Sequence, residues 1–229
     1  MSVADRLRQL RERLVPPTAR ALRTFWLGQA GRAVSRLTRP YKQGPRDPEA
    51  LLPPEEDAML ELVLRPFLEA GILQAAEIAA AMMALPAPDP TDTRIVDQLA
   101  RAATRVRGIN EATREAIREV LQEATVRGYG LFDLVNGVER DGFRGLRAVI
   151  EETYRGRAET VARTELGEAS LRAAHTEWER AGVQYVRIID GVLDEPCASR
   201  NGTVVPLTEA PGLAHPNCTV VTVPVTAYG

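Results

Sequence analysis

Apolar residues recur at helical spacing along most of this chain and give way to short alternating runs near its end. In residues 3–14, Val3, Leu7, Leu10 and Leu14 fall three or four apart with arginines between them, the period of an amphipathic helix. Pro16-Pro17 is expected to end that helix, because proline lacks an N–H and crowds the preceding turn. A second amphipathic stretch is predicted over 18–37. Residues 40–54, broken by Pro45, Pro48 and Pro53, read as an extended linker and the best domain boundary. A helical pattern resumes over 55–85, with acids in the first turn that suit the helix dipole and Pro66 expected to split or kink it. Its stretch 75–84 is unusually apolar and includes Met82 and Met83, as suits packing against neighbouring helices or a partner-facing surface.

The run from Pro86 to Pro90 is a second stop. Thr91 is expected to cap a helix reaching Arg107, which Gly108 closes, and Asn110 to cap the next. There Ala116, Ile117, Val120, Leu121 and Ala124 form one apolar stripe up to Gly128. Short helical pieces are predicted at 131–135 and 143–154, then a longer helix over 157–181 ended by Gly182. After it, 184–190, 202–206 and 219–225 are β-rich runs separated by Gly, Pro and Asn. The expected fold class is α+β: a mainly helical N-terminal and middle region followed by a small antiparallel β module. In chain order this divides into 1–46, a basic helical arm, 47–104, a linker and helical region, and 105–229, which ends in the β module.

Composition sharpens this picture. The 229 residues are 45% hydrophobic but only 5% aromatic, which favours helical cores packed through small and aliphatic side chains. The net charge of −2 hides an asymmetry: residues 1–46 hold eleven cations, ten Arg and Lys42, against Asp5 and Glu12, a net of +9 that leaves −11 for the rest. Such an arm suits an anionic surface, whether nucleic acid, an acidic partner or a membrane face, and Arg6, Arg13, Arg20, Arg23, Arg32 and Arg36 are its candidate contacts. The alternative is a solvated N-terminus. No secretory signal or transmembrane run is visible, and two cysteines exclude a disulfide-dense scaffold, so a soluble protein made in a reducing cytoplasm is expected.

Three sets of residues bear on chemistry. Arg163-Thr164-Glu165 lies within a predicted helix, where Arg163 and Glu165 are either a solvated pair or reach the β module and orient it. Cys197 and the run His215-Pro216-Asn217-Cys218, with Asp194 three residues before Cys197, have short chelating spacings that would suit a zinc staple. The competing reading makes both cysteines small buried residues and gives His215 a backbone carbonyl to bond, and it is preferred because a carboxylate is an unusual fourth ligand in structural zinc sites. A Cys197–Cys218 disulfide would form only outside the cell. His175-Thr176-Glu177 followed by Pro196-Cys197 partly matches the zinc deaminase signature, but Arg200 stands where its last cysteine is required. Phosphate loops, nucleophile elbows and H-E-x-x-H are absent, so no catalytic residue is expected.

Taken in order, residues 109–117, the helix with Ala162-Arg163-Thr164-Glu165, the segment 190–202 and the closing His215-Pro216-Asn217-Cys218 resemble the phage Mu F-like minor head proteins, also called head morphogenesis proteins. The likeness spans roughly 105–224 and rests on the order of the motifs. In that family the β module usually carries C-x-x-C, an Asp/Asn-Gly turn and H-P-x-C-x-C. Cys197 matches the second cysteine, Asn201-Gly202 the turn, and His215, Pro216 and Cys218 the closing motif, while Asp194 and Val220 replace two thiols. The resemblance implies a non-enzymatic, low-copy virion protein in the capsid interior at the portal vertex, made in the host cytoplasm. Its partners would be the portal protein, major capsid or scaffold proteins and, through the basic arm, DNA. Fused toxin or protease domains are not expected, because the chain ends at Gly229. The rival readings are a small zinc-dependent hydrolase or nucleobase deaminase using His175, Glu177, Cys197, His215 and Cys218, and a nucleic-acid-binding assembly factor. No cofactor is expected under the leading reading; the alternative is a zinc ion held by Cys197, His215 and Cys218.

Overall fold

The computed structural model describes residues 1–38, 47–191, 197–213 and 215–225, with Arg107 described by its backbone alone. The fold is α+β, mainly helical over the described residues as far as Arg180 and ending in a three-stranded antiparallel sheet. The helices are α1 (Val3–Thr38), α2 (Pro48–Leu51), α3 (Pro54–Met82), α4 (Thr93–Arg107), α5 (Glu111–Arg127), α6 (Leu131–Asn136), α7 (Leu146–Arg155) and α8 (Arg157–Arg180). No helix among the described residues is long and apolar enough to cross a membrane.

Helix α1 corrects the expected break at Pro16-Pro17, since one helix contains both. The two prolines face solvent, while Leu7, Leu10, Val15, Ala19 and Leu22 around them are buried. Two forfeited backbone hydrogen bonds are therefore outweighed by a continuous buried stripe. The Thr18 hydroxyl also donates to the Leu14 carbonyl, at 2.7 Å. Likewise α3 continues past Pro66, whose ring is exposed.

The linker expected over 40–54 is corrected in its described part. Asp47 caps α2 by accepting the Glu49 N–H, and Leu51 and Leu52 are fully buried. Two caps also differ from expectation. Asp92, not Thr91, accepts the Arg94 N–H at the start of α4, and Arg94's side chain and backbone pull the Asp92 carboxyl down to about 2. Asn110 makes no cap; its side chain lies in the core, accepting from Gln29 and donating to Asp57. Gly128 ends α5 at φ +70°, as the stripe before it predicts.

The chain forms two compact units built from non-consecutive segments, so they cut across the division into 1–46, 47–104 and 105–229. One unit comprises 20–64 and 103–158. Its core stacks Trp26 on Tyr154, with ring centroids 4.7 Å apart and planes within 5° of parallel. The buried Glu56 carboxylate receives Arg32 in a two-pronged hydrogen bond and Arg36 at 2.8 Å. Burial pushes the Glu56 carboxyl up, but those two arginines outweigh it and hold the group below its usual range. Arg114 is similarly committed, bonding the Leu52 carbonyl and the Asp57 carboxylate.

The other unit comprises 1–19, 65–102 and 159–229. Ala75, Ala76, Ala79 and Ala80 of α3 are fully buried, so one face of the apolar stretch at 75–84 is core, while Ala81, Met82 and Ala84 remain exposed. Gly71 lets α1, α3 and α8 approach: a Cβ there would lie 3.3 Å from Leu166 and 3.6 Å from Leu14. The sheet consists of β1 (Tyr185–Ile189), β2 (Val204–Pro206) and β3 (Val221–Pro224), in the order β2-β1-β3. Val186 pairs with Val205 on one side and Pro224 on the other, and strand alternation sends Val186 and Ile188 inward while Tyr185 and Arg187 face out.

Candidate functional site

Two turns bring the motif residues of the β module together. The first follows β1. Cys197 opens a 3₁₀ turn (Ala198–Arg200), and Gly202, at φ +81°, donates its N–H to the Ile188 carbonyl at 2.8 Å, returning the chain to β2. The second is His215-Pro216-Asn217-Cys218. Proline fixes φ at its second position, Asn217 takes the left-handed φ of +64° at its third, and the Cys218 N–H closes it on the His215 carbonyl at 3.2 Å. Proline followed by a residue that tolerates positive φ is the pattern of a type II turn.

These turns face each other across a small apolar cluster of Ile188, Cys197, Cys218 and Val220, flanked by Val205 and Leu213. Both thiols have no solvent exposure and neither forms a disulfide. Cys197 Sγ lies 3.5 Å from Cys218 Sγ and 3.2 Å from His215 Nε2. The half-buried His215 places Nδ1 2.8 Å from the Pro216 carbonyl, a contact that only an N–H can satisfy, so Nε2 presents its lone pair toward the sulfurs. Cys197, His215 and Cys218 are the one group of three or more such side chains, among the described residues, whose ligand atoms lie within 4.8 Å of one another. Asp194 lies outside the described residues.

Helix α8 holds this module through Thr164, the middle residue of the Arg163-Thr164-Glu165 triplet. The Thr164 hydroxyl accepts the Asn217 N–H at 3.2 Å while donating to the Thr160 carbonyl, and the Asn217 amide donates to the Thr160 hydroxyl. Arg163 turns instead to Glu12 on α1 and to Glu159; Glu165 is half-buried beside them on the helix. One turn further on, Glu168 accepts the Leu213 N–H at 3.1 Å.

Sequence reasoning missed two supports. Arg11, counted with the basic arm, is buried and donates to the Cys218 and Thr219 carbonyls at 3.0 and 3.1 Å, and burial lowers its pKa from the usual arginine value. Its position one residue after Leu10 and four after Leu7, on the apolar stripe, was the available signal. Asp190, Asn201 and Thr219 form the second: Thr219 donates to the Asp190 carboxylate, and Asn201 accepts the Asp190 N–H. Three polar residues spread over 30 positions carry no local pattern.

The remaining candidates separate from this site. His175 hydrogen-bonds the Thr222 hydroxyl at 2.7 Å and packs beside Trp178, and burial pushes its pKa down to about 4. The buried Glu177 pairs with Arg180. The two residues that a deaminase would aim at a metal thus have other commitments. Of the six proposed contact arginines, Arg32 and Arg36 pair with Glu56 and stay partly exposed. Arg13 bonds Gln74 while remaining exposed. Arg6, Arg20 and Arg23 are exposed and form no ion pair among the described residues. No protein-family model matches the chain, and no curated protein or solved structure matches it significantly.

Proposed function

We propose that this chain is a minor head protein of a tailed phage, a structural component that docks near the portal and assists procapsid assembly and DNA packaging or ejection. The observation that carries the reading is the convergence of the separated motifs: Thr164 of the Arg-Thr-Glu triplet grips Asn217, in the turn that also presents His215 and Cys218 to Cys197. Residues that resemble that family only through their order along the chain therefore act on one another as a single clasp. The clasp orders a small sheet, and under this reading recognition falls to exposed surface. Its partners under this reading are the portal protein and major capsid or scaffold proteins, with DNA met through Arg6, Arg20 and Arg23. The test is mass spectrometry of purified procapsids and virions together with capture by the portal protein. The chain is expected at low copy in particles and retained by portal. Its absence from both kinds of particle overturns the reading.

A further inference from the structure

The Cys197, His215 and Cys218 cluster has the donor set and the spacing of a soft-metal site. We infer that these three side chains bind one Zn²⁺ ion, which staples the turn after β1 to the turn before β3. The inference concerns the isolated chain and does not depend on the assembly function.

Geometry is the first argument. With Zn–S bonds of about 2.3 Å and Zn–N of about 2.0–2.1 Å in a tetrahedron, two sulfurs sit about 3.8 Å apart and a sulfur and a nitrogen about 3.5 Å apart. The two separations from Cys197 Sγ are 3.5 Å and 3.2 Å, each within a few tenths of an ångström of those values, and all three ligand atoms lie within 4.8 Å of one another. Orientation is the second. Ligating histidines are held by a hydrogen bond from the other ring nitrogen, and the contact of Nδ1 with the Pro216 carbonyl supplies it, leaving Nε2 as the ligand.

Charge is the third argument. On binding, each thiol releases its proton to solvent and its sulfur takes the metal, so one dication enters, two protons leave, and the neutral imidazole contributes only its lone pair. The loaded site is therefore neutral, as suits a position walled by Ile188, Val220 and Leu213. The three side chains leave the fourth position of a tetrahedron open to a small ligand on the half-exposed His215 side. The staple also has a physical task, because strands of five, three and four residues make a sheet too small to hold itself.

The full chain, purified under reducing conditions without chelator, is expected to carry about one equivalent of zinc by elemental analysis. After the metal is stripped, Co²⁺ should give the sulfur-to-cobalt charge-transfer band and the visible bands of a tetrahedral thiolate site. Cys197→Ser and His215→Ala should each weaken Co²⁺ binding at least about tenfold. Three results overturn the inference: a folded chain with under about a tenth of an equivalent of zinc and no charge-transfer band, a native Cys197–Cys218 disulfide, or metal content unaffected by both substitutions. Where a variant fails to fold, the cobalt spectrum of the unaltered chain decides.

Discussion

Glu56 has no exposed surface, and its carboxylate survives there because Arg32 and Arg36 bring two guanidinium groups to it. Glu56→Gln should cost about 2 kcal/mol at pH 7. That is less than the loss of one partner from a fully buried pair, because both arginines retain a path to water. The folded pKa of Glu56 lies below its unfolded value, so its contribution is present above the unfolded value near 4.5 and fades as pH falls through the folded one. Denaturation midpoints of the two proteins should therefore converge in acid; a gap that persists undiminished to pH 2 contradicts this account. His175 shares the direction of acid loss for a different reason. Its pKa falls from 6.5 to about 4 on folding, so between those values the unfolded chain holds a proton that the folded chain rejects. Acidification through that window should remove up to about 3 kcal/mol, and His175→Gln, which can still bond Thr222, should flatten the slope. Equal slopes in urea titrations of the two proteins would exclude His175 as the cause. Neither commitment was legible in the sequence. An arginine on the apolar stripe, such as Arg11, hints at burial, but Arg32 stands 24 residues before Glu56 and, like Arg36, reads as surface charge.

At the level of elements, periodicity located the helices well, because each buries a stripe that recurs every three or four residues. It failed at Pro16-Pro17, where a local rule met a longer buried stripe, and at 47–52, where a four-residue helix is too short to show a period. The strands were legible from alternation, while their order was not, since β1 lies in the middle and pairs with both later runs. The link between α6 and α7 shows what only a close approach explains. Val138 and Phe143 form a two-way bridge that folds the chain back, bringing Gly145 against Gly137. A Cβ on Gly145 would lie 2.2 Å from the Gly137 nitrogen and 2.6 Å from the Val135 carbonyl oxygen, and both are backbone atoms that cannot swing aside. Gly145→Ala should therefore destabilise the protein by about 3 kcal/mol, at the upper end for overpacking. A change in thermal midpoint no larger than that of an exposed glycine such as Gly130→Ala would show that the link relaxes freely.

For the whole chain, the basic segment is also framework, and this decides how its partner must be sought. Residues 1–19 place Leu7, Leu10, Val15 and Ala19 in the core of one compact unit and supply Arg11 to the Cys218 and Thr219 carbonyls. Burying each of the larger side chains is worth roughly 1.5–3 kcal/mol, so deleting them removes a sum comparable with the 5–15 kcal/mol by which domains are stable. A truncation lacking residues 1–47 should lose cooperative unfolding, and its failure to bind anything would say nothing about charge. Arg6→Gln, Arg20→Gln and Arg23→Gln combined leave that core intact and should shift stability by no more than about 0.5 kcal/mol per site. If these three arginines neutralise DNA phosphates, the plot of log affinity against log salt should become shallower by about 2.7, at about 0.9 per contact. An unchanged slope with weakened portal capture assigns them to an acidic protein surface. Unchanged behaviour in both assays removes any docking role from these three arginines, leaving residues 1–19 as part of the support on which the β module is built.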